Sequence, residues 1–135
     1  MPFAQALRVL VVDDETDARD ILTHVLQGYG METEAAASAF EALAKVESYR
    51  PDVIVSDVGM PEADGYWLMT QVRSLSQEQG GETPAIALTA YASAEDRARA
   101  LSSGYHFHLP KPAEAPALAN AIAVATGRAG KAFRA

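Results

Sequence analysis

Short runs of apolar, mostly β-branched residues recur along the chain, and segments with helical spacing of apolar positions separate them. The Val-Ile-Val run at 53–55 is typical of a parallel strand that is covered on both faces. Asp57 follows soon after, where the strand is expected to stop because burying an unpaired carboxylate is costly. Gly59 and Pro61 then turn the chain away. The pattern therefore predicts a strand that presents a carboxylate at the edge of a sheet.

The same periodicities predict five strands and five helices in alternation. The predicted strands lie at 7–12, 31–36, 53–56, 85–88 and 105–109, and the predicted helices at 17–27, 38–50, 66–75, 93–101 and 113–126. Apolar residues recur at helical spacing, so Ile21, Phe40 and Val124 are expected to lie on the inner faces of their helices. Parallel strands need crossover connections, so the alternation predicts one α/β domain with a doubly wound parallel sheet.

Local signals mark where some of these helices begin. Ser38 precedes the second predicted helix, and Glu41 three residues later completes the pattern of a capping box. Ser93 is the expected N-cap of the fourth helix. Residues 76–83 are predicted to form a polar loop before the fourth strand.

Length and charge narrow the classes of function. The 135 residues suffice for one domain, which we place at residues 1–126 with a solvated tail at 127–135. Eleven basic and eighteen acidic residues leave a formal charge of −7, which disfavours nucleic acid and an anionic membrane surface as direct partners. The absence of cysteine excludes disulfides and thiolate metal sites. No signal-peptide pattern and no apolar run of about 20 residues is present, so we expect a cytoplasmic protein without membrane insertion.

Polar residues follow four of the predicted strands at the point where each strand ends. Asp13 and Asp14 follow the first strand, Asp57 the third, Thr89 the fourth and Lys111 the fifth. Carboxyl ends of strands in an open α/β sheet meet in one crevice, so these side chains are expected to lie together. Three carboxylates repel one another, and Mg²⁺ held by oxygen ligands would compensate. Lysine and hydroxyl groups suit phosphoryl oxygens, and a carboxylate can accept a phosphoryl group as an acyl phosphate.

Each of these residues has a simpler explanation when it is taken alone. Asp13 and Asp14 are also suited to capping the first helix, Thr89 to ending a strand, and Lys111 to an exposed turn between two prolines. The order of the five residues, each after a successive apolar strand, is what favours the chemical interpretation. Asp57 is then the best candidate for the nucleophile.

Four motifs resemble the signatures of one family, the receiver domain of two-component response regulators. They are Val-Asp-Asp-Glu at 12–15, Ser-Asp-Val-Gly-Met-Pro-Glu-Ala-Asp-Gly at 56–65, Leu-Thr-Ala at 88–90 and Leu-Pro-Lys-Pro at 109–112. The resemblance extends from residue 7 to residue 126. It implies the flavodoxin-like strand order 2-1-3-4-5, an order for which a chemotaxis receiver is a standard example.

The resemblance also implies a chemistry. A histidine kinase or phosphotransfer protein would pass a phosphoryl group from a phosphohistidine to Asp57, with Mg²⁺ as the required cofactor. Asp14, Asp57 and the backbone carbonyl of Gly59 would be direct metal ligands, and Asp13 would act mainly through water. The domain would be no enzyme in its own right, since it would catalyse only its own phosphorylation and dephosphorylation.

A conformational switch is implied as well. Thr89 and Lys111 would contact the phosphoryl oxygens, Thr89 would move toward them on activation, and the Lys111–Pro112 bond would be cis. The family usually has Tyr or Phe three residues before the lysine, where this chain has His108. That residue is either a surface imidazole on an edge strand or a switch that swings inward and adds a pH-dependent charge. His24 is expected to be an ordinary surface residue.

Output and partners follow from the family alone. The fourth helix, fifth strand and fifth helix would dock partners or form a phosphorylation-dependent homodimer. The residues of the motifs are most similar to those of receivers attached to hybrid sensor kinases, so the domain either was cut from a larger chain or docks on a partner.

Gly59 and Tyr91 would control access of the water that hydrolyses the acyl phosphate. Glycine at this position predicts a short-lived phosphoryl state.

Two other classes of function are alternatives. The first is a protein-binding module that uses the same scaffold without phosphorylation, against which the intact set of acidic, hydroxyl and lysine residues argues. The second is a hydrolase of the haloacid dehalogenase type, which would form an aspartyl-phosphate intermediate during turnover. Asp13 and Asp14 are adjacent instead of spaced as Asp-x-Asp, and no cap domain is evident, so this alternative is disfavoured.

Overall fold

The computed structural model describes residues 7–90 and 93–127, in which five strands alternate with five α-helices. The elements are β1 (Arg8–Val12), α1 (Thr16–Gly28), β2 (Glu32–Ala36), α2 (Ala39–Tyr49), β3 (Val53–Asp57), α3 (Gly65–Arg73), β4 (Ala85–Thr89), α4 (Ala94–Ser103), β5 (Phe107–Pro110) and α5 (Ala115–Ala125). A short 3₁₀ turn, Gln77–Gln79, interrupts the loop that was predicted to be irregular. The predicted alternation is confirmed, and most boundaries shift by one or two residues.

The five strands form one parallel sheet in the order β2-β1-β3-β4-β5. This is the doubly wound, flavodoxin-like order that the family resemblance implies. Every residue of β3 and β4 is buried, as expected of interior strands that helices cover on both faces. The chain reverses its winding direction between β1 and β3, and such a point is where open α/β sheets bind ligands.

Two apolar cores lie on opposite faces of the sheet. One packs against α2, α3 and α4 and includes Val46, Leu68 and Ala100. The other packs against α1 and α5 and includes Leu26 and Leu118. Helix α4 buries only Ala100, so this helix is attached to the domain by less apolar contact than its neighbours.

Three apolar residues that were predicted to face the core are instead exposed. Ile21 is 64% exposed, Phe40 53% and Val124 47%. Each lies beside the buried residues of its helix. The helical spacing therefore predicted the helices correctly but overestimated the width of the face that each helix buries. Phe40 packs edge-on against Trp67, with ring centroids 5.0 Å apart, instead of against the sheet.

The helix caps differ in detail from the sequence prediction. The Ser38 hydroxyl accepts a hydrogen bond from the Glu41 amide, as predicted. The Glu41 carboxylate, however, accepts from the amide of Ala37 instead of that of Ser38, so the predicted capping box is not formed. A complete capping box occurs at Ser76 and Gln79, where it begins the 3₁₀ turn.

Within residues 7–90 and 93–127, no helix has the length and apolar character needed to cross a membrane. Tyr91 and the predicted tail beyond residue 127 lie outside the described residues.

Candidate functional site

The predicted site residues meet at the carboxyl edge of the sheet. Asp13 and Asp14 follow β1, Asp57 ends β3, Thr89 ends β4 and Lys111 follows β5. The parallel register places these strand ends side by side, since Asp57 pairs with Leu88 in β4. All are therefore on the edge where the sequence predicted them.

Three carboxylates form a compact cluster. One oxygen each from Asp13, Asp14 and Asp57 lies within 4.8 Å of the other two. Asp13 is fully buried and Asp57 is 7% exposed, so water screens their mutual repulsion poorly. Such a cluster favours a cation, and a set of carboxylate oxygens matches what Mg²⁺ prefers.

Lys111 supplies one positive charge to this cluster. Its Nζ lies 3.1 Å from Asp13 Oδ2 and 3.4 Å from Asp57 Oδ2. Burial acts to lower the pKa of Lys111, but the hydrogen bond to Asp13 and the two nearby carboxylates outweigh burial, and the net pKa is raised. The ammonium therefore stays charged, and one lysine faces three carboxylates.

Lys111 balances the negative charge of the Asp57 carboxylate only in part. Burial is the main effect that raises the pKa of its carboxyl group; Lys111 lowers it and the charge of Asp13 raises it again. The Gly59 amide donates to Asp57 Oδ1 at 3.3 Å, a long hydrogen bond. The raised pKa means that the fold holds this carboxylate in a place where negative charge is disfavoured, and a bound cation would relieve that.

The loop after β1 is held in place from α1. The Asp13 carboxylate accepts a hydrogen bond from the Glu15 amide at 2.9 Å, and the Asp13 backbone carbonyl accepts one from the Arg19 guanidinium at 2.7 Å. No motif in the sequence points to Arg19. Its position six residues after Asp13 carries no spacing signal, because the contact depends on how the loop enters the helix.

The Lys111–Pro112 peptide bond is cis, as the resemblance implies. Next to it, a groove of about 160 Å³ runs from α1 to the start of α5. Ala18, Ile21, Leu22, Lys111, Pro112 and Ala113 line this groove. The exposed Ile21 side chain therefore lies along the approach to the acidic cluster.

His108 lies on the edge strand β5, paired with Ala87 of β4. Its Nε2 atom is buried and has no hydrogen-bond partner, the sole such side-chain atom among the described residues. This nitrogen is therefore shielded from water, and the swing of His108 on activation stays a prediction. His24 is exposed on α1, as expected.

The comparisons with known proteins agree with this arrangement. Residues 9–123 match the sequence profile described as response regulator receiver domain. A 14.6 kDa uncharacterised protein of Leptolyngbya boryana is 50% identical over 99 residues, 73% of each chain. The transcriptional regulatory protein TrcR of Mycobacterium tuberculosis is 38% identical over 98 residues, 73% of this chain and 37% of TrcR. Response regulator MprA of Mycobacterium avium is 40% identical over 98 residues, which are 73% of this chain and 41% of MprA. The chain thus spans about two-fifths of the length of these two regulators.

Solved structures with the same fold include receivers of both regulators and kinases. The chemotaxis protein CheY4 of Vibrio cholerae superposes with a TM-score of 0.82 at 36% identity, over 90% of this chain and 99% of that one. The receiver domain of the sensor histidine kinase PA1611 of Pseudomonas aeruginosa has a TM-score of 0.82 at 28% identity, over 91% and 99% of the two chains. That structure has a magnesium ion coordinated in its active site cleft. By its sequence motifs, its strand order and these matches, the chain belongs to the response regulator receiver domain family of two-component signalling.

Proposed function

We propose that this receiver domain is a phosphoacceptor switch, in which Asp57 takes a phosphoryl group from the phosphohistidine of a histidine kinase or phosphotransfer protein. The observation that carries the proposal is the buried Asp57 carboxylate, 3.4 Å from the Lys111 ammonium and in one cluster with two further carboxylates. A carboxylate oxygen of Asp57 would attack phosphorus, the phosphorus–nitrogen bond would break, and the imidazole would leave with the bonding electron pair.

The residues present fit a magnesium ion. Asp14, Asp57 and the Gly59 carbonyl would hold it directly and Asp13 through water, a donor set of oxygens that suits a hard cation. When bound, the ion supplies positive charge that offsets the phosphoryl oxygens. The excess of carboxylates over lysine in the site supports this assignment, because the chain's own residues leave negative charge uncompensated.

Lys111 and Thr89 complete the proposed acceptor site. The Lys111 ammonium already bridges Asp13 and Asp57, so it is placed to pair with a phosphoryl oxygen once Asp57 carries one. Thr89, 3% exposed at the end of β4, would move toward that oxygen and report phosphorylation to α4 and β5. His108 would change position in response, and partners or a second copy would then dock on α4, β5 and α5.

The phosphodonor would approach along the groove between α1 and the start of α5. Lys111 lines this groove and lies 3.4 Å from Asp57, so a protein seated there would lie beside the acceptor. Ile21 lines the groove and supplies an exposed apolar contact. The resemblance to receivers of hybrid kinases stays a prediction, since both separate regulators and a kinase receiver are among the similar proteins.

Intact-mass analysis tests the phosphoacceptor role. The protein is incubated with phosphoramidate, whose phosphorus–nitrogen bond resembles that of phosphohistidine, with and without Mg²⁺. We expect the wild type to gain the mass of one phosphoryl group only when Mg²⁺ is present, and Asp57→Asn to gain none. Asp20→Asn is the matched control, because Asp20 is an exposed aspartate on α1 and its replacement should leave the gain intact.

Two results would contradict the proposal. A wild type that stays unmodified at saturating Mg²⁺, with the control also unmodified, would favour the phosphorylation-independent binding module. Continuous release of phosphate from phosphate esters, with turnover far above one per protein, would favour a hydrolase over a switch that only phosphorylates and dephosphorylates itself.

A further inference from the structure

The loop between β3 and α3 carries one of the groups that are proposed to bind metal, the Gly59 carbonyl, and backbone hydrogen bonds determine the shape of this loop. The Gly65 amide donates to the Val58 carbonyl at 2.8 Å, and the Ala63 amide donates to the Pro61 carbonyl at 2.8 Å. Gly59, whose carbonyl is a proposed ligand, is exposed within this loop. The position of that carbonyl is therefore set by how the two ends of the loop are anchored.

Tyr105 anchors the end of the loop that leads into α3. It is 3% exposed, and its hydroxyl donates a hydrogen bond to the Gly65 carbonyl at 3.1 Å. A Cβ atom at position 65 would lie 2.3 Å from that hydroxyl and 2.9 Å from the Val58 Cα, so only glycine permits this approach. The contact is thus a close fit between one tyrosine and the backbone of the loop.

The other end of the loop is held by Ser56. The fully buried Ser56 hydroxyl donates to the Asp57 backbone carbonyl at 2.9 Å. Burial is the main cause of the raised pKa of the Tyr105 phenol. Tyr105 therefore remains a neutral donor to the Gly65 carbonyl at the start of α3.

Tyr105 is itself fixed to a third element. Its backbone amide donates to the Ala100 carbonyl in the last turns of α4 at 3.1 Å. Tyr105 thus joins the start of α3, through its hydroxyl, to the end of α4, through its backbone amide.

We propose that Tyr105 is a positioning residue for metal binding, which holds the loop from Asp57 to Gly65 in the shape that presents the Gly59 carbonyl to Mg²⁺. The proposal rests on the proposed function, in that it takes the acidic cluster to be the magnesium site. Loss of the hydroxyl leaves the loop free to sample other shapes, so it weakens binding of the ion and leaves the chemistry at a loaded site unchanged.

Calorimetric titration with MgCl₂ tests this on the unphosphorylated protein. We expect Tyr105→Phe to bind Mg²⁺ about three- to tenfold more weakly than the wild type, the change expected for one hydrogen bond. The variant should fold, because Phe keeps the buried ring and the Gly65 carbonyl also faces the Met69 amide in the α-helical pattern. With phosphoramidate, its phosphorylation rate should need more Mg²⁺ but reach the wild-type value at saturation.

Tyr49→Phe is the matched control. The Tyr49 hydroxyl bonds to the Glu32 carboxylate at 3.0 Å near the opposite edge of the sheet, so this change removes a tyrosine hydroxyl far from the acidic cluster. Its thermal midpoint should fall to an extent similar to that of Tyr105→Phe, while its Mg²⁺ affinity should match the wild type.

Equal Mg²⁺ affinity in Tyr105→Phe and the wild type would overturn the positioning role, and so would equal weakening in both tyrosine variants. A wild type that binds no Mg²⁺ would overturn this proposal as well. A wild type that binds Mg²⁺ but never gains a phosphoryl group would contradict the proposed function alone, and the affinities would still decide the role of Tyr105.

Discussion

At the scale of single residues, Asp57 is the proposed phosphoryl acceptor, and the folded protein disfavours its ionised form. Its raised pKa shows that the folded state disfavours the ionised carboxylate, mainly through burial and then through Asp13. Asp57→Asn removes that charge while keeping the shape of the side chain. We therefore expect Asp57→Asn to unfold at a higher temperature than the wild type at pH 7 without Mg²⁺, by about 4 °C for about 1 kcal/mol.

The pH dependence of this effect has a definite sign. Between the ordinary carboxyl pKa of 3.8 and the raised value, the folded state binds more protons at Asp57 than the unfolded state does. The contribution of Asp57 to stability therefore falls as pH rises through that window, and the advantage of Asp57→Asn should grow in parallel. Thermal melts from pH 3.5 to 7 measure this, and a variant less stable than the wild type at pH 7 would show the burial argument to be wrong.

Gly59 leaves open space beside the acceptor. A Cβ atom built at this position meets no other atom within 4 Å. Gly59→Gln should therefore fold normally and hinder the water that attacks the acyl phosphate, lengthening the half-life of phosphorylated Asp57 several-fold. Gly28→Gln is the control, because position 28 is equally open and lies at the far end of α1. Loss of phosphate after removal of the donor measures the half-lives, and an unchanged value for Gly59→Gln would refute the access argument.

The site residues differed in how far the sequence could predict them. Asp13 and Lys111 follow strands of the sheet and Asp57 ends one, so periodicity alone placed them at one edge. Arg19 and Tyr105 act through hydrogen bonds to backbone carbonyls. Such contacts depend on loop shape and not on residue spacing, so no pattern in the chain pointed to them.

At the scale of secondary-structure elements, Arg73 joins three segments behind the site. Its half-buried guanidinium donates to the Gly81, Thr83 and Gly104 carbonyls at distances from 2.6 to 3.1 Å. These bonds tie the end of α3 to the loop before β4 and to the C-cap of α4. Helix α4 buries only Ala100, so this attachment matters more for α4 than for a helix with a wide apolar face.

Arg73→Met should therefore lower the free energy of unfolding by about 2–3 kcal/mol, because three partly buried carbonyls lose their donor. Urea denaturation measures this loss. Arg97→Met is the control, since Arg97 is exposed on α4 and its replacement should change stability by less than about 0.5 kcal/mol. Equal stability of the two variants would mean that the carbonyls are satisfied equally well by water.

Among the predictions for the helices and strands, the least accurate concerned which residues of each helix are buried. Ile21, Phe40 and Val124 fit a helical repeat, but a helix on a sheet buries a stripe and leaves its flanks in water. Tertiary contact decides which flank residue is covered. Phe40 illustrates this, because Trp67 on α3 provides it with a partner that no local pattern could reveal.

At the scale of the whole molecule, alternation of elements determined the fold class, and the family motifs were needed for the strand order. Crossover and handedness rules restrict a five-stranded parallel sheet to a few topologies without choosing among them.

Two of the exposed apolar residues differ in their position relative to the groove beside Lys111. Ile21 borders the groove that leads to Lys111, whereas Val124 lies on α5 and does not line that groove.

Ile21→Ser should therefore separate two routes of phosphorylation. With a phosphorylated histidine-containing phosphotransfer protein that loads the wild type, we expect the rate to fall about tenfold, the loss of one apolar anchor at an interface. With phosphoramidate, which needs no docking surface, the rate should equal that of the wild type. Val124→Ser removes an apolar side chain of similar exposure away from the groove and should keep both rates. If Ile21→Ser slows both donors equally, the residue supports the site itself; if it slows neither, the phosphodonor approaches from another side.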